Sequence, residues 1–382
     1  MSEQLTVIFK PTSRCNLRCH YCYAARERDC FDGTMDIGEA KGAFDWVQQY
    51  CQKQGVRNLT VIWHGGEPLL MGVDFIRELI TYYTERMSKL SINVKNQIQT
   101  NLTLATDKFV SLFKQFFDSQ VGFSLDYASR HRVFPDGSDA SDTIRNRALA
   151  LKKYGIRTGA ICMMTQDNAD HIRELYEWFK QLGIPFRVNR LFPTSSTETT
   201  TMAGTVSAER YARGICELID IWLNDPSPAR AETASGTILT WLKNTAKICS
   251  IAGKCSDTFL CIAPNGVLLP CGRFDSDTHS IGNWRKDSVE TVLKNKCVMA
   301  RFGETRPDKG LCSKCKWDSL CVAGCLHSRL MGWFEDECTT NRIIWSHVES
   351  RLAPLGLTKG ILSEMSPEES ANILKSIEVD SA

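Results

Sequence analysis

The chain has 382 residues, more than one domain usually contains, and is long enough to bury a large core without disulfides. It carries 46 lysine and arginine residues against 44 aspartate and glutamate residues, and the two signs are well mixed. This balance gives no basic surface for duplex binding, so we predict no nucleic-acid partner. No signal peptide and no uncharged run long enough to span a bilayer are visible, which predicts a soluble cytoplasmic protein without a membrane partner.

Seventeen cysteines stand out in this composition. A reducing cytoplasm does not support a disulfide framework, and an odd number of cysteines cannot pair completely. We therefore predict that most of them bind metal and that a minority are buried apolar side chains.

The first half of the chain alternates short β-rich runs with stretches whose apolar residues recur at helical spacing. Six strands are predicted, and each except the last precedes a helix, which indicates parallel βα units. The strands begin at Leu5, Leu59, Ile92, Val121, Ile156 and Ile184. Since sites form at the carboxyl ends of parallel strands, we expect the chemistry in the loops that follow them.

The character of the sequence changes after the sixth predicted strand. A Ser-, Thr- and Gly-rich segment after Phe192 indicates a loop or linker, and two helical patterns follow it. From 254 to 338 the chain has turn residues and cysteines with little periodicity, so bound metal is expected to organise it. The predicted segments are a first domain over 1–205, a helical linker region over 206–253, a cysteine-rich domain over 254–345 and a helical tail over 346–382.

The stretch CNLRCHYC follows the first predicted strand, and its cysteines are Cys15, Cys19 and Cys22. Three thiolates are an incomplete tetrahedral set, and the alternatives are a zinc site, a redox pair and an iron-sulfur cluster with one open iron. His20 lies inside the motif, so zinc stays open on this stretch alone. A [4Fe-4S] cluster held by three cysteines leaves one iron for a small ligand, and an open site of this kind can do chemistry.

CNLRCHYC, with an aromatic residue before its last cysteine, resembles the signature of the radical S-adenosylmethionine (radical SAM) enzymes. HGGEP after the second strand resembles the GGEP motif of that family, and QTN and SLD fall at the ends of the third and fourth strands. The resemblance implies an α/β fold, a partial (β/α)6 barrel of the TIM type. In that fold S-adenosylmethionine completes the coordination of the open iron and is cleaved to a 5′-deoxyadenosyl radical. The implied cofactor contacts are Tyr21, Gly65, Gly66, Glu67, Pro68, Gln99, Asn101 and Ser124.

Eight further cysteines form a second pattern between Cys255 and Cys338. The C-x2-C spacing alone is typical of a zinc ribbon. The full pattern resembles the SPASM extension of radical SAM enzymes that act on peptides and proteins, which implies a small domain with two auxiliary [4Fe-4S] clusters and three clusters in all. The implied ligands are Cys255, Cys261, Cys271 and Cys325 for one cluster, and Cys312, Cys315, Cys321 and Cys338 for the other. The remaining cysteines are interpreted as buried filler: Cys30, Cys51, Cys162, Cys216, Cys249 and Cys297.

Two branches of the family fit this layout. Anaerobic sulfatase-maturing enzymes oxidise a Cys or Ser to formylglycine, and that branch has an aspartate base directly after the third cysteine of the extension. Gly272 holds this position here, which argues against that branch, although Asp275 and Asp277 lie nearby. The other branch modifies ribosomally made precursor peptides and forms carbon-carbon, cyclophane or thioether cross-links. We predict this second activity.

Candidate catalytic residues are Asp126, Arg273 and Asp275, with a strand-end carboxylate and a solvated turn as the structural alternatives. The expected partners are a precursor peptide or protein and an electron donor such as flavodoxin or ferredoxin. Because the first motif begins at Cys15, we expect no leader-recognition domain before it, so the peptide docks on the barrel mouth and extension or uses a separate recognition protein. A zinc-ribbon interaction protein is the alternative from another class, but it leaves HGGEP without a purpose.

Overall fold

The strands predicted in the first half are present and lie within a few residues of their expected positions. They are Gln4–Phe9 (β1), Asn58–Trp63 (β2), Asn93–Thr100 (β3), Gln120–Ser124 (β4), Arg157–Met164 (β5) and Phe186–Arg190 (β6). The pairs β1–β2, β2–β3, β3–β4 and β5–β6 are parallel. The computed structural model describes residues 3–25, 33–192, 204–245, 249, 258–274, 279–304, 312–321 and 324–365.

Five helices follow the first five strands. They are Ile37–Gln54 (α1), Gly72–Ser88 (α2), Asp107–Phe116 (α3), Ser141–Lys153 (α4) and Ile172–Leu182 (α5). Each buries an apolar stripe, as in α2, where Ile76, Leu79, Ile80 and Tyr83 recur at the spacing of one helix face. This succession of strands and helices confirms the predicted α/β class and is that of a partial (β/α)6 barrel.

The chain divides into two compact units, and the first comprises 1–125, 130–159 and 254–303. In this unit Phe259–Ile262 (β7) pairs in parallel with β1. Val267–Leu269 (β8) and Gly282–Asn283 (β9) continue the sheet with antiparallel pairing, and the helix Val289–Glu304 (α8) follows. The strand order in the unit is β4-β3-β2-β1-β7-β8-β9. The first part of the cysteine-rich region therefore extends the sheet beside β1.

The second unit comprises 126–129, 160–253 and 304–382. Besides β6, most of β5 and helix α5, it contains six further helices. They are Ala208–Asn224 (α6), Glu232–Lys243 (α7), Asp318–Cys321 (α9), Leu326–Leu330 (α10), Phe334–Leu352 (α11) and Ile361–Glu364 (α12). Asp220 on α6 accepts from His347 and Arg351 on α11, at 2.9 and 2.8 Å. Within the described ranges, no helix is both long and apolar enough to cross a bilayer.

None of the described cysteines forms a disulfide. Cys51, Cys162 and Cys216 are buried, which confirms their interpretation as apolar filler. The same interpretation is wrong for Cys249 and Cys297, which are exposed. Beside Cys297 on α8, Val298 is exposed as well, so this part of the helix faces solvent. Cys30 lies outside the described residues.

Helix α1 begins with a capping box, and its loss gives a prediction for stability. Asp36 accepts from Glu39 N at 2.8 Å, and Glu39 in turn accepts from Asp36 N at 3.1 Å. We expect Asp36→Ala to cost about 1 kcal/mol and to speed amide exchange in the first turn of α1, because that turn loses its side-chain acceptor. Thr106→Ala at the start of α3 is the control, since Thr106 makes no side-chain cap bond. Equal effects of the two variants on exchange would contradict this account.

Candidate functional site

The loop after β1 carries the C-x3-C-x2-C cysteines, and all three are half-buried. Cys15 Sγ accepts from Leu17 N at 3.4 Å and from Asn101 Nδ2 at 3.7 Å. Burial raises the pKa of the Cys15 thiol to about 12. The thiol is therefore protonated at neutral pH until a metal binds it, and donors aimed at sulfur are the outer contacts that such ligands use.

The HGGEP turn after β2 is hydrogen-bonded to the backbone of this cysteine loop. Gly66 N donates to Thr12 O and Glu67 N donates to Arg14 O, both at 2.9 Å. Pro68 is buried and begins a short 3-10 turn, as its fixed φ favours. The turn at the end of β2 and the loop at the end of β1 are therefore joined by backbone bonds.

The two glycines of HGGEP are required by this contact. A Cβ on Gly65 would lie 2.5 Å from Thr12 O, and a Cβ on Gly66 would overlap the carbonyl oxygens of Ser13 and Arg14. Gly65 also has a φ of 118°, which side chains rarely adopt. The family motif assigns the glycines to close approach of a cofactor. In this chain they first allow close approach of the cysteine loop.

Glu67 is fully buried and accepts three hydrogen bonds from the protein. Its Oε1 accepts from Leu69 N at 2.9 Å and from Thr100 Oγ1 at 2.7 Å, while Oε2 accepts from Asn101 N at 2.7 Å. Burial raises the pKa of this carboxyl to about 7, although the three donors act in the opposite direction. The side chain thus fastens the turn after β2 to the end of β3.

Asn101 connects the end of β3 back to the cysteine loop. Its Nδ2 donates to Asn16 Oδ1 at 2.9 Å, Asn16 Nδ2 donates to Thr103 Oγ1 at 2.7 Å, and Thr103 Oγ1 donates to Asn101 Oδ1 at 2.7 Å. This closed ring fixes the amide that faces Cys15. Sequence reasoning identified Asn101 but not Asn16 or Thr103, since neither has a recognisable pattern of its own.

Gln99 and Ser124, at the ends of β3 and β4, contact each other. Gln99 Nε2 donates to Ser124 Oγ at 3.1 Å. Gly122 makes room for this pair, because a Cβ there would lie 2.6 Å from Gln99 Oε1. Both side chains stay partly exposed at the strand-end edge where the other predicted contacts lie.

Asp126 belongs to the second unit and is buried. Its Oδ1 accepts from Met163 N at 2.8 Å, so the carboxylate bonds to the backbone of β5. Asn168 Nδ2 donates to the carbonyls of Tyr127 and Met163 at 3.0 and 3.1 Å in the same place. These contacts are what we expect of a structural carboxylate at a strand end, the alternative given for Asp126. A contact with cofactor or substrate stays a prediction.

The loop after β4 lies along the cysteine loop, which no motif indicated. Arg18 N donates to Val133 O at 2.7 Å, and His20 N donates to His131 O at 2.9 Å. Tyr21 is buried, and its ring centroid lies 5.6 Å from that of His131. Tyr21 of the cysteine loop therefore packs against the loop after β4.

The residues predicted to bind the first auxiliary cluster are distributed over both units. Cys261 is buried in β7 opposite Ile8 of β1, and Cys271 follows β8. Cys325 belongs to the second unit, and Cys255 lies outside the described residues. This ligand set therefore stays a prediction. Of the catalytic candidates, Arg273 is half-buried in the turn after Cys271, while Asp275 and Asp277 lie outside the described residues.

The four residues predicted to bind the second auxiliary cluster lie together in the second unit. Burial raises the pKa of Cys338, and the charges of Cys312 and Cys315 raise it further, although Arg342 opposes them. Burial raises the pKa of Cys321 to about 12, and Cys338 adds to the rise. Thiols this close repel one another as thiolates and are stabilised as a set by bound metal.

No three His, Cys, Asp or Glu side chains converge on a point for one metal ion in the part of the chain that the structure describes. A [4Fe-4S] cluster does not require such convergence, because each thiolate binds its own iron. Cys15, Cys19 and Cys22 on one loop, and the four grouped cysteines of the second unit, are compatible with that arrangement.

Two family models match the chain. The Radical SAM superfamily model matches residues 9–179, and the SPASM model, an iron-sulfur cluster-binding domain, matches residues 249–316. The chain is a radical SAM enzyme with a SPASM domain. The first match begins in β1 and includes the cysteine loop, the HGGEP turn and the strand ends described above. The radical SAM family uses S-adenosylmethionine and [4Fe-4S] clusters, so both are cofactors of this enzyme.

Several known proteins are similar to this enzyme. The cysteine-type anaerobic sulfatase-maturating enzyme of Clostridium novyi is 26% identical over 348 residues, which cover 86% of this chain and 89% of the relative. The serine-type enzyme of Bacteroides thetaiotaomicron is 22% identical and is matched over 98% of this chain and 96% of its own.

Solved structures show the same fold. The structure of anSMEcpe with bound AdoMet and Cp18Cys peptide has a TM-score of 0.78 at 21% identity, covering 92% of this chain and 98% of its own. Streptococcus suis SuiB bound to the precursor peptide SuiA has a TM-score of 0.60 at 18% identity, covering 86% of this chain and 73% of its own. The TM-score is thus higher for anSMEcpe than for SuiB.

The described residues fit the radical-generating cofactors. The cysteine loop supplies three thiols, and the amide of Asn101 and the N–H of Leu17 are aimed at the sulfur of Cys15. When bound, cluster and S-adenosylmethionine supply a 5′-deoxyadenosyl radical that abstracts hydrogen from a substrate. The chain's own part is to hold and orient them: Glu67 and the glycine turn fix the cysteine loop against the end of β3.

The glycine turn gives a test of this positioning. Gly66→Ala should move the turn away from the cysteine loop, because the added methyl overlaps two carbonyl oxygens. We expect at least a tenfold loss of S-adenosylmethionine affinity, measured by equilibrium binding to the anaerobically reconstituted enzyme. Gly236→Ala in α7 is the control, since nothing lies within 4 Å of its Cβ position. Wild-type binding by Gly66→Ala would contradict the role given to this contact.

The buried carboxyl of Glu67 predicts a pH dependence. Its pKa of about 7 lies above the ordinary value of 4.5, so the folded state holds this proton more tightly than the unfolded state does. The free energy of unfolding should therefore fall as pH rises from about 5 to about 7, and this component should be flat above that range. Glu67→Gln removes the slope and leaves a constant offset. Anaerobic denaturant unfolding of both proteins across this range checks the difference, and parallel curves would contradict it.

Proposed function

We propose that this enzyme abstracts a hydrogen atom from a side chain of a ribosomally made precursor peptide and forms an intramolecular cross-link. Its SPASM domain and a fold shared with peptide-bound structures support a peptide or protein substrate. The observation that carries the choice of product is Gly272. It stands where the sulfatase-maturing branch has an aspartate base.

Gly272 lies against an apolar residue of β1. A Cβ at this position would lie 3.2 Å from Cδ1 and 3.4 Å from Cγ2 of Ile8, so a side chain here requires Ile8 to shift by a few tenths of an ångström. Formylglycine formation requires a base, because a thiol or hydroxyl proton must leave the substrate. A cross-link to an aromatic ring places a smaller demand on a base, since the ring regains aromaticity when it loses its proton.

The proposed reaction removes two hydrogens from the peptide. One leaves as a hydrogen atom to the cofactor radical. The other leaves as a proton and an electron while the new bond closes, and an auxiliary cluster is the proposed electron acceptor. Asp126, Arg273 and Asp275 stay candidates for contacts with the peptide or for receiving the proton.

The assignment of residues to cofactors belongs to the same proposal. Cys15, Cys19 and Cys22 bind the cluster that holds S-adenosylmethionine, and the two SPASM sets bind two auxiliary clusters. The S-adenosylmethionine contacts are Tyr21, Gly65, Gly66, Glu67, Pro68, Gln99, Asn101 and Ser124. An electron donor such as flavodoxin or ferredoxin reduces the first cluster, and a separate recognition protein presents the leader of the peptide.

Sulfatase maturation is the second candidate function. It is favoured by the two relatives described above, which match this chain over most of both lengths. In this alternative Asp275 or Asp277 replaces the base that Gly272 lacks.

Mass spectrometry after anaerobic co-expression separates the two functions. We expect a precursor peptide encoded beside the gene to lose two hydrogens and to gain a linkage between side chains, which fragmentation locates. Sulfatase peptides with a target Cys or Ser should stay unmodified and unreactive toward an aldehyde-trapping hydrazide. The triple variant Cys15→Ala, Cys19→Ala, Cys22→Ala is the control and should give neither product. A trapped aldehyde in a sulfatase peptide, with no cross-link in any precursor, would establish the second candidate instead.

A further inference from the structure

Cys22 lies between two tyrosines, and each tyrosine faces a cation. The guanidinium carbon of Arg132 lies 5.3 Å from the ring centroid of Tyr21, and Nζ of Lys10 lies 5.7 Å from that of Tyr23. Arg132 is 6% exposed and Lys10 only 1%. Because both side chains are buried, water screens their charges less than it would at the surface.

The backbone fixes both cations relative to the cysteine loop. Lys10 directly follows β1, and its N–H donates to Ile262 O at 3.0 Å. Arg132 lies between His131 and Val133, whose carbonyls accept from His20 and Arg18 of the cysteine loop. The two charges therefore approach from different strands, and neither depends on its tyrosine alone for its position.

The charge of Lys10 acts on its surroundings. The pKa of His64 is lowered to about 4, mainly by burial and in smaller part by the positive charge of Lys10. His64 is consequently neutral at physiological pH, and its Nδ1 accepts from Gly65 N at 2.8 Å. The imidazole therefore adds no positive charge to that of Lys10.

We propose that Lys10 and Arg132 set the reduction potential of the cluster held by Cys15, Cys19 and Cys22. A [4Fe-4S]2+ core with three thiolates carries a net charge of −1 and takes up one electron on reduction, without a proton. A fixed positive charge nearby stabilises the more negative, reduced form by more than the oxidised form. The two residues act through their electric field, and each lies over one of the tyrosines on either side of Cys22. Since neither binds iron, both are positioning residues.

The test measures the potential of the holoenzyme in the absence of substrate. Redox titrations followed by electron paramagnetic resonance should compare the wild type with Lys10→Met and Arg132→Met, and with the charge-conserving Lys10→Arg and Arg132→Lys. The signal of this cluster is assigned by its absence from the Cys15, Cys19, Cys22 triple alanine variant. We expect each methionine variant to lower the equilibrium constant for one-electron reduction about tenfold, a shift of about 59 mV to more negative potential. The charge-conserving variants should stay near the wild type.

Lys296→Met is the matched control. Lys296 is also a buried lysine over a tyrosine in the same unit, with Nζ 2.8 Å from Tyr50 Oη and 5.2 Å from the ring centroid. Tyr50 lies near the end of α1, which leads back to the start of β2, toward the opposite edge of the sheet from the cysteine loop. Its loss should leave the potential unchanged.

Two results would overturn the proposal. Unchanged potentials in both methionine variants would show that the two charges do not act on the cluster. Loss of this cluster's iron from the methionine variants would show that the cations hold the loop together instead of tuning a cluster already held. Because no peptide is present, neither result depends on whether the product is a cross-link or formylglycine.

Discussion

The buried carboxylate of Glu67 is the interaction on which the arrangement of the site depends. It binds the backbone of its own turn through Leu69 and the end of β3 through Thr100 and Asn101. The same turn is bonded to the loop after β1. Three neighbouring strand ends are thereby locked together, and the parallel sheet places all three at one edge. The cysteine loop after β1 takes its shape from these hydrogen bonds.

Much of the fold was predictable because its periodic elements are long enough to show a pattern. The six parallel strands and five helices of the first half each extend over several turns or pleats. Strands β7 to β9 were missed because they have only 4, 3 and 2 residues, too few to show alternation. Leu260, Ile262, Leu268 and Leu269 are nevertheless buried, so this part of the cysteine-rich region has an apolar core beside β1. That core depends on pairing with a strand some 250 residues earlier, which no local pattern records.

The candidate site, like the fold, was predictable only in part. Motif spacing identified the cysteines, the glycine turn and Asn101, since their residue types are fixed by chemistry or by backbone geometry. It did not identify Asn16, Thr103, His131 or Arg132, whose roles arise only when loops from distant parts of the chain meet. The glycines of HGGEP show a further limit of sequence motifs. A motif indicates which residue must be small, but not which neighbouring residues leave no space for a side chain. Here those neighbours belong to the cysteine loop.

The strand β1 lies beside Gly272 and leads to the cysteine loop. Ile8 packs where a side chain on Gly272 would lie, Lys10 follows two residues later with its charge beside Tyr23, and the cysteine loop begins at Cys15. A larger residue at position 272 would press on Ile8 and so on the strand that carries both Lys10 and the loop. A side chain at position 272 therefore requires Ile8 to shift by a few tenths of an ångström. Since Ile8 belongs to the strand that leads to Lys10 and the cysteine loop, a substitution at position 272 acts first on β1.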